Sequence, residues 1–311
     1  MGPGLRRFLP VDLATWALFT SIAWRVWLPY FTGTVISAIG LVVIGKQAEQ
    51  RHGLDKIIAL APLFIAVPIA VFGTEHFTFA ESIAGMVPSW IPGHLFWAFF
   101  VGACLISAGL SLVVRKHAWL AAALFGIMLL LFELVISIPG VVGAPRNRIL
   151  WAVALRDLSF SGGALAFAAT QTETCKTRLA PGVVTLARLF IGIPIVVFGV
   201  EHFLHPEFAP GVPLAKLTPL WIPAHLFLAY LTGAVFVVTG LCLIVNKEAR
   251  LAATWMGLMI LLLVLIVYVP VVIANPSSIG GLNYLFDTLL LSGSALAFAG
   301  SQREESKARA A

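Results

Sequence analysis

The sequence predicts an all-α membrane protein of about nine transmembrane helices, and three observations support this prediction. Hydrophobic residues make up 60% of the 311 residues and charged residues only 11%, whereas soluble domains usually carry about 25% charged residues. The mean hydropathy is +0.98, too apolar for a chain whose solvent is water. Apolar stretches near 20 residues, the length that a spanning helix needs, recur along the chain in a duplicated order.

The duplication is visible in three motifs. Leu63–Phe77 reads LFIAVPIAVFGTEHF and Leu189–Phe203 reads LFIGIPIVVFGVEHF, with eleven of fifteen positions identical. Two further motifs recur in the same order: Trp90–Phe96 as Trp221–Phe227, and Ser161–Ala168 as Ser292–Ala299. Three ordered matches indicate two tandem copies of one unit. The second copy has five extra residues between its first two motifs.

Each segment of the chain then has a predicted place. Residues 1–56 form an N-terminal interfacial segment and a first transmembrane helix near 30–47, and residues 11–28 lie at the interface, span or extend that helix. The first unit (57–172) has spans near 57–77, 92–114, 118–138 and 149–170. A linker (173–183) leads to the second unit (184–302), which has spans near 184–203, 223–245, 251–273 and 282–300. A tail (303–311) follows the second unit. Four spans per unit is an even number, so both units point the same way through the bilayer.

The loop cations predict the orientation. Twelve Lys and Arg residues fall in loops on one side and five on the other. The positive-inside rule assigns the richer side, which includes the C-terminus, to the cytoplasm, and the N-terminus to the outside. Because the cations lie in short clusters between apolar runs, they favour membrane orientation over nucleic-acid binding. The expected partner is therefore the lipid bilayer.

Ionisable side chains inside the membrane are the candidate functional residues, because they are costly there. The candidates are Glu75, His76, His94, Glu133, Arg156 and Asp157 in the first unit, and Glu201, His202, His225 and Asp287 in the second. Val264 takes the place of Glu133, and Asp287 falls near the Asp157 position with a slip of one residue, which sets Phe286 where the first unit has Arg156. Neighbours on a helix point about 100° apart, so Glu75 and His76 cannot both face one small site.

The predicted chemistry follows from these residue types. His94 and His225 come just after a proline at a helix start, where the positive end of the helix dipole keeps imidazole neutral and able to act as a ligand. We expect Glu75, His94, Glu133 and Asp157 to converge in the outer half of the first unit, with Arg156 balancing their charge. Three carboxylates cannot all stay ionised beside one Arg, so a proton or a cation is expected there. The site could bind a divalent metal such as zinc or iron, or a quinone carbonyl.

Two motifs and the four-span unit resemble the DoxX family of bacterial membrane proteins: G-x-E-H-F closing the first helix and W-I-P-x-H opening the second. The resemblance covers the chain from about residue 57, as two family-like units. It implies a bacterial inner-membrane location and a quinone-linked redox role beside a soluble or peripheral redox partner. It also implies that Glu75, His76 and His94, with Glu201, His202 and His225, line a quinone or redox pocket.

Two other functions fit the same residues. A small-solute or ion transporter would use the acidic and His side chains as protonatable gates. A non-enzymatic scaffold or assembly protein would use them only to fix helix packing, as interhelical hydrogen bonds commonly do in membranes. No Walker loop, dinucleotide fingerprint or C-x-x-C motif occurs in the sequence.

Overall fold

The computed structural model of the chain describes residues 24–170, 180–214 and 218–310. Within these ranges the regular structure is helical, without a β-strand element, and nine helices are long and apolar enough to cross a membrane. The predicted all-α membrane class is therefore confirmed. The helices are α1 (Trp24–Glu49), α2 (Ala61–Thr78), α3 (His94–Val114), α4 (Ala118–Gly143), α5 (Arg148–Thr170), α6 (Ala180–Leu204), α7 (His225–Ile244), α8 (Ala249–Ala274) and α9 (Ile279–Ala310).

Short helical segments at Asp55–Ile58 and Ala80–Ala84 flank α2. Helix α1 begins at Trp24, so residues 24–28 extend the first helix, which was one of the predicted alternatives. The rest of the predicted interfacial segment, most of the predicted linker and the loop cation Lys216 lie outside the described residues.

Helices α4 and α8 are interrupted at equivalent places. Each contains a π-helical turn, at Glu133–Ser137 and at Val264–Tyr268, and a proline follows two residues later. Proline has no N–H to give to the preceding turn, and a widened turn is one way for a helix to accommodate that loss. The wide turn in α4 begins at Glu133, one of the candidate residues.

The two units repeat the same internal contacts. Ser161 donates a hydrogen bond to the Gly126 carbonyl at 2.9 Å, and Ser292 donates to the Gly257 carbonyl at 2.8 Å. Both pairs join the last helix of a unit to its third helix, at matching positions of the repeat. The duplication in sequence is therefore also a duplication in packing.

The units interlock. Helix α2 of the first unit packs against α9 of the second, α6 of the second packs against α5 of the first, and α5 packs against α9. The first helix of each unit thus contacts the last helix of the other. Helix α1 packs beside α2 and α3. Helices α2, α5, α6 and α9 form the centre of the molecule.

Helices α5 and α9 meet at equivalent residues. The motif register aligns Gly163 with Ser294, and these two residues touch so closely that a Cβ on Gly163 would lie 2.3 Å from the Ser294 Cα. Arg156 and Asp287, two turns earlier on the same helices, are also equivalent and form an ion pair. Because equivalent positions meet at two levels, α5 and α9 run parallel and in register about a pseudo-two-fold axis.

Candidate functional site

Arg156 lies where α5 meets α9. Its Nε donates to Asp157 Oδ1 at 2.8 Å, and its Nη1 donates to Asp287 Oδ2 at 2.9 Å. The side chains keep only 20%, 13% and 7% of their exposure, so the arrangement is largely withdrawn from solvent. The register set by Ser161 and Ser292 aligns Arg156 directly with Asp287, and no slip of one residue is needed. In two identical copies this position would place like charges together, whereas here it joins opposite charges.

Glu75 reaches across to the second unit. It is buried on α2 and faces Asn283 of α9. With the amide turned so that its NH₂ group faces the carboxylate, Asn283 donates to both Glu75 oxygens, at 2.6 and 3.0 Å. Glu75 is also within electrostatic reach of Asp287, which lies one turn further along the same face of α9.

Glu133, on α4, is the remaining carboxyl group near Arg156 and Asp157. Its side chain is buried, and its Oε1 has no hydrogen-bond partner among the described residues. It interacts electrostatically with Asp157 and Arg156. These groups together form what we call the central cluster: Glu75, Glu133, Arg156, Asp157, Asn283 and Asp287.

His94 does not join the central cluster, and neither does His225. Each is the first residue of its helix, after a residue in the left-handed conformation, Gly93 or Ala224. In the described part of the chain no hydrogen bond or ion pair connects either ring to the cluster. Glu75 faces Asn283 of α9, whereas His94 lines a surface depression with its neighbours between residues 89 and 96. No contact in the described part of the chain therefore supports the expected convergence of His94 with Glu75.

Both ring nitrogens of His202 have hydrogen-bond partners within the protein. Gly211 N–H donates to its Nε2 at 2.9 Å, and its Nδ1 contacts the Phe198 carbonyl. Since Nε2 accepts, Nδ1 must carry the proton, and the ring is held neutral in one tautomer. Gly211 lies in the connection between the two motifs, which is five residues longer in the second copy than in the first. His202 thus fixes this loop to α6 and is not available as a ligand.

His76 is the counterpart of His202, and among the described residues its ring makes only the shared hydrogen bond, from Nδ1 to the Phe72 carbonyl at 2.7 Å. It faces α3, where a Cβ on Gly102 would lie 2.7 Å from the His76 Cβ. The prediction that Glu75 and His76 face different ways agrees with this arrangement, since Glu75 faces α9. The histidines of the two EHF motifs therefore share the contact with their own helix, whereas His202 also accepts a hydrogen bond from the loop residue Gly211.

Glu201 has a different partner from Glu75. Arg148, at the start of α5, donates to Glu201 Oε2 at 3.1 Å and to the Pro213 carbonyl at 2.6 Å. Its guanidinium also lies 4.2 Å from the Phe208 ring centroid. Arg148 therefore joins the loop between α6 and α7 of the second unit to the first unit. The equivalent glutamates do not form paired sites, and only Glu75 belongs to the central cluster.

The candidate residues do not form a metal centre. Among the described residues no group of three or more His, Cys, Asp and Glu side chains is arranged to hold a metal ion. The carboxylates of the central cluster are instead distributed around one guanidinium and one amide. The site fits proton binding and ion pairing better than the divalent metal that the residue types had suggested.

Sequence reasoning missed two residues that matter here. Asn283 was not singled out, although it stands four residues before Asp287 and so shares its helix face. Arg148 was counted only as a loop cation, and its pairing with Glu201 depends on how α5 packs against α6. The position of Asn283 could have been found from helical spacing alone. The role of Arg148 could not, because it depends on contact between the units.

The fold and the site define an integral membrane protein of two interlocked helical units with a buried, charge-paired cluster between them. No protein-family model, curated protein or solved structure matches the chain.

Proposed function

We propose that the central cluster binds a proton, and that the chain is a DoxX-type integral membrane protein whose activity is linked to that proton. The observation that carries the proposal is the charge balance: the cluster combines four carboxyl groups with one guanidinium. Full ionisation would leave an excess of negative charge at membrane depth, where uncompensated charge is costly. That excess would be three negative charges, and each bound proton would remove one of them.

The contact between Glu75 and Asn283 supports the proposal. An ionised carboxylate accepts hydrogen bonds from the NH₂ group of the amide. A protonated carboxyl group donates instead to the amide oxygen, after the amide turns over. At separations of 2.6 and 3.0 Å, Asn283 can satisfy Glu75 in either state. A buried carboxyl group with such a partner can gain or lose a proton and keep a hydrogen bond to Asn283 in both states.

The surroundings favour proton exchange with one face of the membrane. Beyond the cluster, α9 carries no ionisable side chain from Leu289 to Gly300, and α5 carries none from residue 158 to 169. These described stretches of the two central helices offer no ionisable relay toward the opposite face. A continuous conduction path is therefore disfavoured, and a site that loads and unloads from one side is favoured.

Infrared spectroscopy of the purified protein tests the proposal. A protonated buried carboxyl group gives a carbonyl band distinct from those of ionised carboxylates. We expect such a band near neutral pH, and we expect Glu75→Gln or Glu133→Gln to remove it. Glu201→Gln is the matched control, because Glu201 has its own cation in Arg148 and should leave the band unchanged. A folded protein without the band between about pH 5 and pH 9 would refute proton binding.

A quinone-linked redox role is the second candidate, and one observation favours it. His94 lines an open depression of about 470 Å³ with apolar neighbours that include Ile91, Leu95 and Phe96. An imidazole in such a setting can hydrogen-bond a quinone carbonyl while the apolar side chains contact its ring. The DoxX resemblance points the same way and would add a soluble or peripheral redox partner as electron donor.

Comparison of His94→Ala with His225→Ala tests the quinone role. If quinone binds at His94, extraction of the purified protein should yield less quinone after His94→Ala at unchanged folded yield. His225→Ala, at the equivalent helix start of the second unit, should have little effect. Equal loss of folded yield in both variants, without any extracted quinone, would leave the two histidines with a packing role and exclude the quinone candidate.

A further inference from the structure

A cavity lies at the opposite end of the molecule from the EHF motifs, on the face that is rich in loop cations. Its volume is about 160 Å³, room for roughly five water molecules at about 30 Å³ each. We call it the basic-face cavity, and its charged and polar lining residues are Gln47, Arg51, Asp55, Arg115 and Arg250. Its apolar walls include Ile58, Phe167 and Leu296. Residues of both units and of the segment after α1 therefore meet there.

The lining is cationic. Among the described lining residues, three arginines and one carboxylate carry charge, so these ionised side chains have two more positive than negative charges. Arg250 donates to Asp55 Oδ1, which joins the start of α8 to the segment before α2. The Arg250 Nε has no hydrogen-bond partner among the described residues. Asp55 therefore leaves part of the Arg250 guanidinium unsatisfied.

Arg115 is drawn inward by local backbone geometry. It follows α3 directly, in a left-handed conformation with φ of 63°, and its guanidinium lies 5.6 Å from the Phe167 ring centroid. Burial of this guanidinium lowers the pKa of Arg115 from its usual range. These contacts hold the Arg115 guanidinium at the wall of the cavity. The cation next to it in sequence, Lys116, is exposed and does not line the cavity.

We infer that the basic-face cavity binds a phosphate group, with the headgroup of an anionic phospholipid as the occupant that its membrane-level position favours. Arginine forks match phosphate oxygens. Basic pockets between transmembrane helices are known to take anionic lipid headgroups. The cavity adds an apolar wall at the level of the helix ends, where the first part of an acyl chain would lie. This inference concerns a different site from the central cluster and stands independently of it.

Binding to lipid of defined composition tests the inference. The full chain in detergent would be titrated with phosphatidylglycerol, with phosphatidylcholine and with inorganic phosphate, and bound lipid would be counted by native mass spectrometry. We expect phosphatidylglycerol to bind more tightly than phosphatidylcholine. Arg115→Gln should weaken phosphatidylglycerol binding about ten-fold or more, as loss of one charge-assisted hydrogen bond predicts. The matched control Lys116→Gln should change it by less than about two-fold.

A gain-of-binding variant provides a second test in case an arginine variant folds poorly. Asp55→Asn removes the one carboxylate among the described lining residues, so phosphatidylglycerol should bind several-fold more tightly. Inorganic phosphate that binds alone, with the same dependence on Arg115, would support the site with a soluble phosphate as its ligand. Equal losses in Arg115→Gln and Lys116→Gln would mean general attraction to a basic surface and would overturn the inference. No selective binding of either compound would overturn it as well.

Discussion

Arg156 has acceptors on both units, so its removal leaves Asp157 and Asp287 without their shared cation. Breaking a buried ion pair by removing one partner typically costs about 3–5 kcal/mol. We expect Arg156→Gln to lower the thermal stability of the purified protein and its folded yield strongly. Thermal unfolding in detergent, followed by a fluorescence or aggregation readout, measures the change. Arg146→Gln, an exposed cation in the loop before α5, is the matched control and should be nearly neutral.

The equivalence of the two positions suggests a stricter experiment. Because Arg156 and Asp287 occupy matching places in the two units, exchanging them keeps an opposite-charge pair at the same contact. We expect the double variant Arg156→Asp/Asp287→Arg to recover a substantial part of the stability lost in Arg156→Asp alone. Asp157 then lies beside the new acid, so full recovery is not expected. A double variant as unstable as the sum of its single changes would contradict the pairing.

His202 and His76 are equivalent in sequence and differ in what they hold. His202→Ala would leave the Gly211 N–H buried without its acceptor, and an unsatisfied buried donor costs about 1–3 kcal/mol. In the described part of the chain, the hydrogen bond of His76 is to its own helix, so His76→Ala leaves no loop donor without an acceptor and should cost less. Thermal unfolding compares the two, and limited proteolysis of the loop between α6 and α7 reports whether His202 fixes it. Equal effects would show that the loop does not depend on His202.

At the scale of the helices, the contact between α5 and α9 depends on a missing side chain. A Cβ at Gly163 would lie 2.3 Å from the Ser294 Cα, so the two backbones would have to move apart. We expect Gly163→Ala to destabilise the protein by about 1–3 kcal/mol, as overpacking does. Gly45→Ala in α1 is the control, because a Cβ there meets nothing within 4 Å. A neutral Gly163→Ala, measured by thermal unfolding, would contradict the close crossing.

Hydropathy and repetition make the helices predictable, and the predicted spans agree with the helices within a few residues at most ends. An apolar run of about 20 residues has few alternatives in a membrane, so α2 and α6 follow directly from their sequences. The π turns of α4 and α8 were not predicted, although Pro139 and Pro270 marked the places where an ordinary helix loses a hydrogen bond. The partners of the buried charges were harder to predict, because they depend on which helices touch.

At the scale of the molecule, Glu75 illustrates what could not be predicted from the sequence. We expected it to face its own unit, and it faces Asn283 of the other. In water an apolar stripe reveals which helix face is buried, but in lipid both faces are apolar and the stripe carries little information. The small residues Gly163 and Ser294 were read as part of a repeat motif, yet they mark the axis between the units. The two units could therefore be predicted from the sequence, but the contacts that interlock them could not.

Interlocking predicts that neither half of the chain is stable alone. Halves divided between residues 175 and 176 would each expose a helix that normally packs against the other half, and the second half would carry Asp287 without Arg156. We expect low folded yield for either half expressed singly and recovery of both when they are expressed together. Copurification through a tag on one half measures the recovery. Two halves that are each stable and monomeric would show that the units are independent domains.

The orientation of the whole molecule is a prediction of the loop charges, and it decides which compartment each site meets. With the C-terminus inside, the central cluster lies nearer the outer face and the basic-face cavity faces the cytoplasm. Single cysteines at Ser82, in the short helical segment after α2, and at Ser277, in the loop before α9, are both exposed at the EHF end and should react with a membrane-impermeant thiol reagent in intact cells. They would be placed in a background from which Cys104, Cys175 and Cys242 have been removed. A cysteine at Ser306 should react only after lysis.

Labelling of position 306 in intact cells, with positions 82 and 277 protected, would show that the orientation is the reverse of the predicted one. The proton site would then exchange with the cytoplasm, and the phosphate site would face outward.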